Sequence, residues 1–414
     1  MVFLSTQQTA KIDAILRDAV TAQKTPALSL GFVTANSPIY MRHYGTKLFD
    51  DPSSEAITED TVYWMCSQTK LITSLAGLKL IEQGKIQLDT PVETILPELA
   101  NPVVATAHDA TGAITASRPA VGKITFGQLL NHSSGLDYFV DGRTFASGIM
   151  MHDSYSHSYK DQDVSEFFKI LQGPLAGVPL RFDPGTSFAY GFSSDCIGFI
   201  VERLSGQSLE QYFKEYIFSP LGVTSASFYL TPELKERLLP LSFRRPDGTI
   251  ERWPRPPVIE AEPAHIKVHL GGVGLYATQK DYLKILQHLL EILAGTASHP
   301  ILSVSSVASL FAETLTPAGA EQAALITSPV FSSIGVPTGN SQFGNGLAVL
   351  TADAPGHRKK GSGLWGGWAS TSYFIDPASG VAMVFGTQLA PTGDEIVQRV
   401  WAELEGVVYT AVPK

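Results

Sequence analysis

The run Leu71-Ile72-Thr73-Ser74-Leu75-Ala76-Gly77-Leu78-Lys79-Leu80-Ile81-Glu82-Gln83-Gly84 constrains the fold more than any other part of the chain. It is apolar on more than one face, so a helix made from it has no side to give to water and must lie at the centre of a large core. Gly84 is suited to close it as a C-cap. Just ahead of the run stands Ser67-Gln68-Thr69-Lys70, the only S-x-x-K in the sequence. Residues at i and i+3 share a helix face, so the Lys70 amine can reach the Ser67 hydroxyl: a nucleophile with its base one turn away. A lysine on such a helix is desolvated, and burial should draw its pKa below the reference of about 10.4, making it a base. At the helix start the free backbone N–H of Ser67 points where an oxyanion would develop, and the macrodipole favours negative charge there.

A three-residue spacing recurs by chance in many chains, and its weight comes from what accompanies it. Tyr190-Gly191-Phe192-Ser193-Ser194-Asp195 follows a Pro184-Gly185 turn and leads into the apolar stretch Cys196-Ile197-Gly198-Phe199-Ile200-Val201-Glu202, which sets Tyr190 on a loop just before a helix. Upstream lies Ile124-Thr125-Phe126-Gly127-Gln128-Leu129-Leu130-Asn131-His132-Ser133-Ser134-Gly135-Leu136. Downstream lie Gly271-Gly272-Val273-Gly274-Leu275-Tyr276-Ala277-Thr278 and Leu364-Trp365-Gly366-Gly367-Trp368. In this order the segments resemble the serine β-lactamase and penicillin-binding-protein superfamily, and within it the class C-like family VIII carboxylesterases and the statin-type acyltransferases. The resemblance runs from about Lys11 to about Ala402.

The resemblance implies Ser67 as the acylated nucleophile, Lys70 as its general-base partner and Tyr190 as the tyrosine that shares the proton work. Trp365-Gly366-Gly367 falls where lactamases carry K-T-G on a strand edge, and Trp368 would supply a second oxyanion N–H beside that of Ser67. Two departures follow. Phe192 stands where the lactamase tyrosine motif has asparagine, leaving Ser193 or Ser194 as the nearest polar substitutes. Trp365 stands where that family has lysine, which removes the cation that would pair with a substrate carboxylate. The expected activity is cleavage of uncharged, apolar esters through a Ser67 acyl-enzyme, with transfer to an alcohol acceptor as the alternative. A β-lactamase or D-alanyl peptidase ranks well below these, and a non-catalytic binding module last. Tyr138, Phe139, Phe188, Phe192, Trp365 and Trp368 bracket the site in sequence; they either line an acyl pocket or fill core. Asp137 reads as a surface charge.

The expected fold is α/β of the α+β type, β-lactamase-like: an antiparallel sheet flanked by helices plus a mainly helical subdomain, with the site in the cleft between. An amphipathic helix around Thr9 to Gln23 and strands in Ala27 to Val33 and Ile39 to Gly45 open the chain. Strands in Ser372 to Pro377 and Gly380 to Thr387 and a helix from Asp394 to Tyr409 close it. Residues 1–60 and 264–414 would then form one discontinuous subdomain, and 61–263 the mainly helical one carrying Ser67, Lys70 and Tyr190. Asn101 to Val121 and Tyr138 to Asp163 read as long loops, and Lys359-Lys360-Gly361-Ser362-Gly363 as a solvated loop.

With 414 residues, 44% of them hydrophobic and 17% charged, the chain can build a core of this size. A net charge of −9, with no basic cluster longer than Arg358-Lys359-Lys360, argues against a nucleic-acid partner. No stretch reaches membrane-span length and the N-terminus lacks a basic n-region and a long apolar h-region, so a cytoplasmic protein is expected. Its partners would be small-molecule esters or thioesters and an alcohol; oligomeric state is not legible. There is no H-E-x-x-H and the ten histidines do not cluster, so neither metal nor cofactor is expected, and His132 reads as a structural loop residue. His152 and His157 read as solvated loop residues. No G-x-S-x-G elbow exists, and Gly361-Ser362-Gly363-Leu364-Trp365-Gly366 lacks the strand and helix that a nucleotide loop needs. Cys66 and Cys196 are expected reduced and buried, with a bridge between them left open.

Overall fold

The computed structural model describes residues 4–22, 25–140, 152–255 and 257–412. Six of its helices matter for the site: α1 (Thr6–Thr21), α2 (Thr69–Glu82), α3 (Ser193–Ser205), α4 (Gln279–Leu293), α5 (Pro317–Ser333) and α6 (Glu395–Tyr409). Seven strands, β1 (Leu28–Thr34), β2 (Tyr40–Tyr44), β3 (Ser341–Phe343), β4 (Ala348–Leu350), β5 (Gly363–Gly367), β6 (Thr371–Asp376) and β7 (Val381–Gly386), make one antiparallel sheet in the order β3-β4-β5-β6-β7-β1-β2. The first and last parts of the chain thus meet edge to edge, Ser29 opposite Gly386 and Thr34 opposite Val381.

All seven residues of β1 are buried, because helices cover both faces of the sheet. On one face Leu28, Leu30, Phe32, Phe374, Met383 and Phe385 pack with Ile12 and Leu16 of α1 and with Trp401 and Leu404 of α6. On the other, Val33, Ala382 and Val384 belong to the larger core with Tyr282, Leu283 and Leu286 of α4 and with α2. Helix α1 begins at a capping box formed by Ser5 and Gln8, which satisfies two otherwise orphaned backbone N–H groups. Its expected last residue, Gln23, lies outside the described residues.

Helix α2 sits where an apolar run must: every residue from Thr69 to Leu78 is buried, and the helix ends at Glu82 with Gly84 in the left-handed region at φ 69°. Among the described residues no helix is long and apolar enough to cross a membrane.

One expectation fails. Asn101 to Val121 is not a loop but a hairpin, Val103–His108 paired antiparallel with Ile114–Pro119, and Pro179–Leu180 adds in parallel beside Val103 and Val104. Only the base of this arm is buried. With both faces of its outer half in water, the sequence there carries no apolar alternation to betray a strand. Part of the second expected loop, residues 141–151, lies outside the described residues, while Asp153–Ser156 forms one short helical turn capped by His152.

Candidate active site

The strand Val62–Trp64 ends in a sharp turn in which Cys66 takes φ 47°, an uncommon conformation for a side chain. A single 3₁₀ turn, Cys66–Gln68, then feeds α2. Ser67 therefore stands on the shoulder between strand and helix, and Lys70 is the second residue of α2. The Lys70 amine donates to Ser67 Oγ at 3.2 Å, to the Tyr138 hydroxyl at 3.0 Å and to the Gly272 carbonyl at 2.8 Å, so all three of its N–H bonds have acceptors.

The second tyrosine is arranged differently. Lys70 Nζ lies 4.8 Å from the centre of the Tyr190 ring, over its face, and the Tyr190 hydroxyl accepts from the Trp365 indole N–H at 2.9 Å. Behind Tyr138 the polar network continues inward. Its oxygen lies 3.0 Å from the hydroxyl of Tyr155, Tyr155 donates to Asp195 Oδ2 at 2.7 Å, and Asp195 Oδ1 accepts from the Gly272 N–H at 2.8 Å. Lys70, Tyr138, Tyr155, Asp195 and Gly272 close a ring. Lys70 is 3% exposed and Asp195 not at all.

This ring overturns the expected charge of Lys70. Burial does pull the amine down, but the Tyr138 oxygen that accepts from it, the Tyr190 ring face beneath it and the Asp195 carboxylate together raise its pKa above the ordinary lysine value, so it rests as an ammonium. The same field acts on its neighbours. Burial raises the Tyr138 phenol, against the pull of Lys70, and raises Asp195 likewise. His132, buried and next to the Lys70 charge, is driven down to about 3 and stays neutral. Its ring packs 5.2 Å from that of Tyr190, which makes it part of the wall that fixes that tyrosine.

Ser67, Tyr138, Phe188, Tyr190, Trp365, Gly366, Gly367 and Trp368 all line one cavity of about 950 Å³. Leu325, Ile326 and Val330 of α5 line it from the other side. The end of β5 is pressed against the Ser67 turn: a Cβ on Gly367 would stand 2.5 Å from the Met65 carbonyl oxygen. The backbone N–H of Trp368 comes close enough to that turn to act on the Cys66 thiol. The charged residues of the cavity wall already have partners. Arg181 pairs with Asp137 at 2.8 Å, Arg358 with Glu405 at 3.0 Å, and Asp394 with Arg244.

Several sequence assignments are corrected. Phe192 and Ser193 do not line the cavity. Phe192 is buried against the rings of Tyr138, Tyr155 and Phe167, and Ser193 is tied to Ser134 Oγ at 2.8 Å at the start of α3. Asp137 is not a surface charge but 5% exposed and paired with Arg181. His152 is half-buried with its ring against Phe192. Cys66 and Cys196 are both free and buried, so no bridge joins them. Tyr155 and Asp195 were missed as members of the site. The available signal was a carboxylate in the first turn of a helix whose first nine residues are all buried. Among the described residues no cluster of three or more His, Cys, Asp or Glu could hold a metal ion.

Comparison with known proteins follows the same line. The family model described as beta-lactamase matches residues 12–406. The acyltransferase calJ of Penicillium decumbens is 31% identical over 360 residues, spanning 84% of this chain and 81% of its own. The lovastatin esterase of Penicillium rubens is 31% identical over 327 residues, 77% of each. In structure, the unliganded simvastatin synthase (LovD) of Aspergillus terreus is 26% identical and superposes with a TM-score of 0.81 over 98% of this chain and 99% of that one.

Proposed function

The chain belongs to the beta-lactamase family and is a serine ester hydrolase or acyltransferase, and from that premise we propose that it cleaves uncharged, apolar esters through an acyl-enzyme on Ser67. The observation that carries this reading is the 3.2 Å contact between Lys70 Nζ and Ser67 Oγ at the wall of a cavity whose charged groups are already paired. Among the described residues the two cations of the cavity wall, Arg181 and Arg358, are each paired with a carboxylate, and Trp365 stands where a lysine would have supplied another.

In the proposed reaction Ser67 Oγ attacks the ester carbonyl while its proton passes to the Lys70–tyrosine cluster. The backbone N–H groups of Ser67 and Trp368 receive the oxyanion. Collapse expels the alcohol, and Tyr190, held by the Trp365 indole at the cavity side, delivers a proton to the leaving oxygen. Water then enters by the reverse path and releases the acid. Phe188, Tyr138 and Trp365 form the walls for the acyl chain. In this reading the site lies between a unit made of residues 1–60 and 264–414 and a mainly helical unit of 61–263.

A specific observation favours a second acceptor. The cavity, about 950 Å³, is at the upper end of the roughly 300–1,000 Å³ of drug-sized sites, room for an acyl chain and a bulky alcohol together. One of the relatives above is named an acyltransferase and another an esterase, which supports both outcomes on one scaffold. Product ratios of free acid to new ester, measured as a bulky apolar alcohol is added, separate the two.

The test of the nucleophile is intact mass after brief incubation with a short-chain p-nitrophenyl ester and, separately, with a serine-directed phosphonate. Wild type is expected to gain one adduct that Ser67→Ala does not, with ester turnover lost by at least about 10³-fold in the variant. An adduct that persists in Ser67→Ala, or folded wild type that takes up neither reagent, defeats the proposal.

A further inference from the structure

A lysine held as ammonium has no lone pair for the Ser67 proton, so a proton must leave Lys70 before attack. The ring of buried groups behind it offers a destination. Tyr155 has one hydroxyl hydrogen, and its bond to the Asp195 carboxylate is the stronger use of it. With that hydrogen spent, the 3.0 Å contact between the two phenol oxygens can be bridged only by the hydrogen of Tyr138, which itself accepts from Lys70. The result is an unbroken donor chain, Lys70 to Tyr138 to Tyr155 to Asp195, with spacings of 3.0, 3.0 and 2.7 Å.

We propose that Asp195 is the proton sink of this enzyme: it receives, through Tyr155 and Tyr138, the proton that Lys70 must lose to become a base. The inference rests on the acyl-enzyme reading above. In the step, a Lys70 N–H breaks and a Tyr138 O–H forms; the Tyr138 proton passes to Tyr155 and that of Tyr155 to Asp195. Three bonds break and three form, an ammonium–carboxylate pair becomes an amine and a carboxylic acid, and nothing enters or leaves the protein. Asp195 touches no substrate; it is a positioning residue for the proton.

The surroundings suit the task. Asp195 lies in the first turn of α3, where the macrodipole steadies its resting charge, while complete burial keeps the cost of neutralising it low. Burial also lifts its carboxyl toward taking up a proton, the Lys70 charge being the main opposing influence. The other titratable groups facing it are Tyr138, Tyr155, Tyr159 and Cys196, all raised by burial and therefore neutral. Lys70 itself faces Tyr138, Tyr190 and Asp195, with Cys66, His132 and Tyr373 within its field. Among the described residues Asp195 is the carboxylate that acts on Lys70. A second link closes the circuit, since the Gly272 peptide accepts from Lys70 and donates to Asp195. Only glycine fits there, for a Cβ would stand 2.6 Å from Asp195 Oδ2.

The experiment is the pH dependence of kcat/KM for a short-chain p-nitrophenyl ester, and of phosphonate inactivation, in wild type, Asp195→Asn, Tyr155→Phe and Lys70→Met, each checked for wild-type circular dichroism. Without Asp195 the first proton to leave the cluster comes from an ammonium or a phenol, both weaker acids than a carboxylic acid. The acid limb must therefore move to higher pH. Wild type is expected to be flat near neutrality. Asp195→Asn and Tyr155→Phe should lose about tenfold or more at about pH 7 and recover as pH rises, because Lys70 then discharges to solvent. A limb that stays in place overturns the proposal, and so does one that moves to lower pH, which would make Asp195 a counter-charge that merely holds the proton on Lys70. Wild-type rates in Tyr155→Phe also overturn it, and that variant carries the test alone if Asp195→Asn does not fold. If Lys70→Met keeps the wild-type profile, it is the reading of Lys70 as base that fails, a result distinct from all of these.

Discussion

The two walls of the cleft follow opposite rules. On the Ser67 wall the working groups are polar, buried and mutually saturated: Lys70 has three acceptors, and Tyr155 and Asp195 complete a ring with the Gly272 peptide. On the β5 wall the groups are apolar or backbone: Leu364, Trp365, two glycines and Trp368, with one indole N–H reaching across to Tyr190. The difference separates two tasks. Moving a proton at a defined place requires groups whose positions and charges are fixed by each other, and burial makes every one of those interactions stronger. Accepting an apolar substrate requires only shape and freedom from unpaired charge, so that wall is open to variation. Changes on the first wall should act on kcat and on pH dependence, and those on the second on which ester is chosen.

The largest effect expected on the β5 wall comes where it touches the other. Gly367→Ala puts a Cβ 2.4 Å from Thr371 Oγ1 and 2.5 Å from the Met65 carbonyl oxygen, so either the strand end or the Ser67 turn must shift. Displacement of a reacting group by even about 1 Å costs on the order of 10²-fold. We expect kcat for a p-nitrophenyl ester to fall by about that factor with circular dichroism intact. Wild-type kcat in this variant would break the claim that the two walls meet at the oxyanion position.

What the sequence made legible divides along the same line. Ser67 and Lys70 could be paired from spacing alone because they share one helix turn, and the strands β1, β6 and β7 could be read from their apolar content because each is sealed by helices. Tyr138, Tyr155 and Asp195 could not. Their links to one another span 17 and 40 residues, and Tyr138 lies 68 residues from Lys70, so only the packed fold brings them together. The expectation of a depressed Lys70 failed for the same reason: burial is readable from an apolar run, the charges that answer it are not. Phe192 reads as either pocket or core, and Ser193 as a polar substitute, because they neighbour Tyr190 in sequence; α3 begins at Ser193 and turns both into the core.

A smaller effect sharpens the contrast in selectivity. Trp365→Lys gives the β5 wall the cation it lacks. A charge-assisted contact at a partly desolvated site is worth enough to change the preference between a carboxylate-bearing and a neutral ester by about tenfold. We expect the ratio of kcat/KM for the two esters to move by that much toward the anion, mostly through KM. An unchanged ratio would show that Trp365 is not where substrates pass.

The smallest expected effect lies in the one hydrogen bond that joins the walls. Trp365→Phe keeps an aromatic ring beside Tyr190, 4.8 Å away in the wild type, and removes only the indole N–H that donates to the Tyr190 hydroxyl. A neutral hydrogen bond of this kind contributes about 1 kcal/mol, a few-fold in rate. If Tyr190 delivers the proton to the leaving alcohol, the loss should depend on the ester. A p-nitrophenolate leaves without a proton and should hardly notice the change, whereas an alkyl ester, whose alkoxide cannot leave unprotonated, should lose the full few-fold in kcat. Comparing the two esters in the one variant therefore reads the role of Tyr190 without touching it. An equal loss with both would assign the bond to holding the cavity wall in place and return the proton to the Lys70 cluster alone.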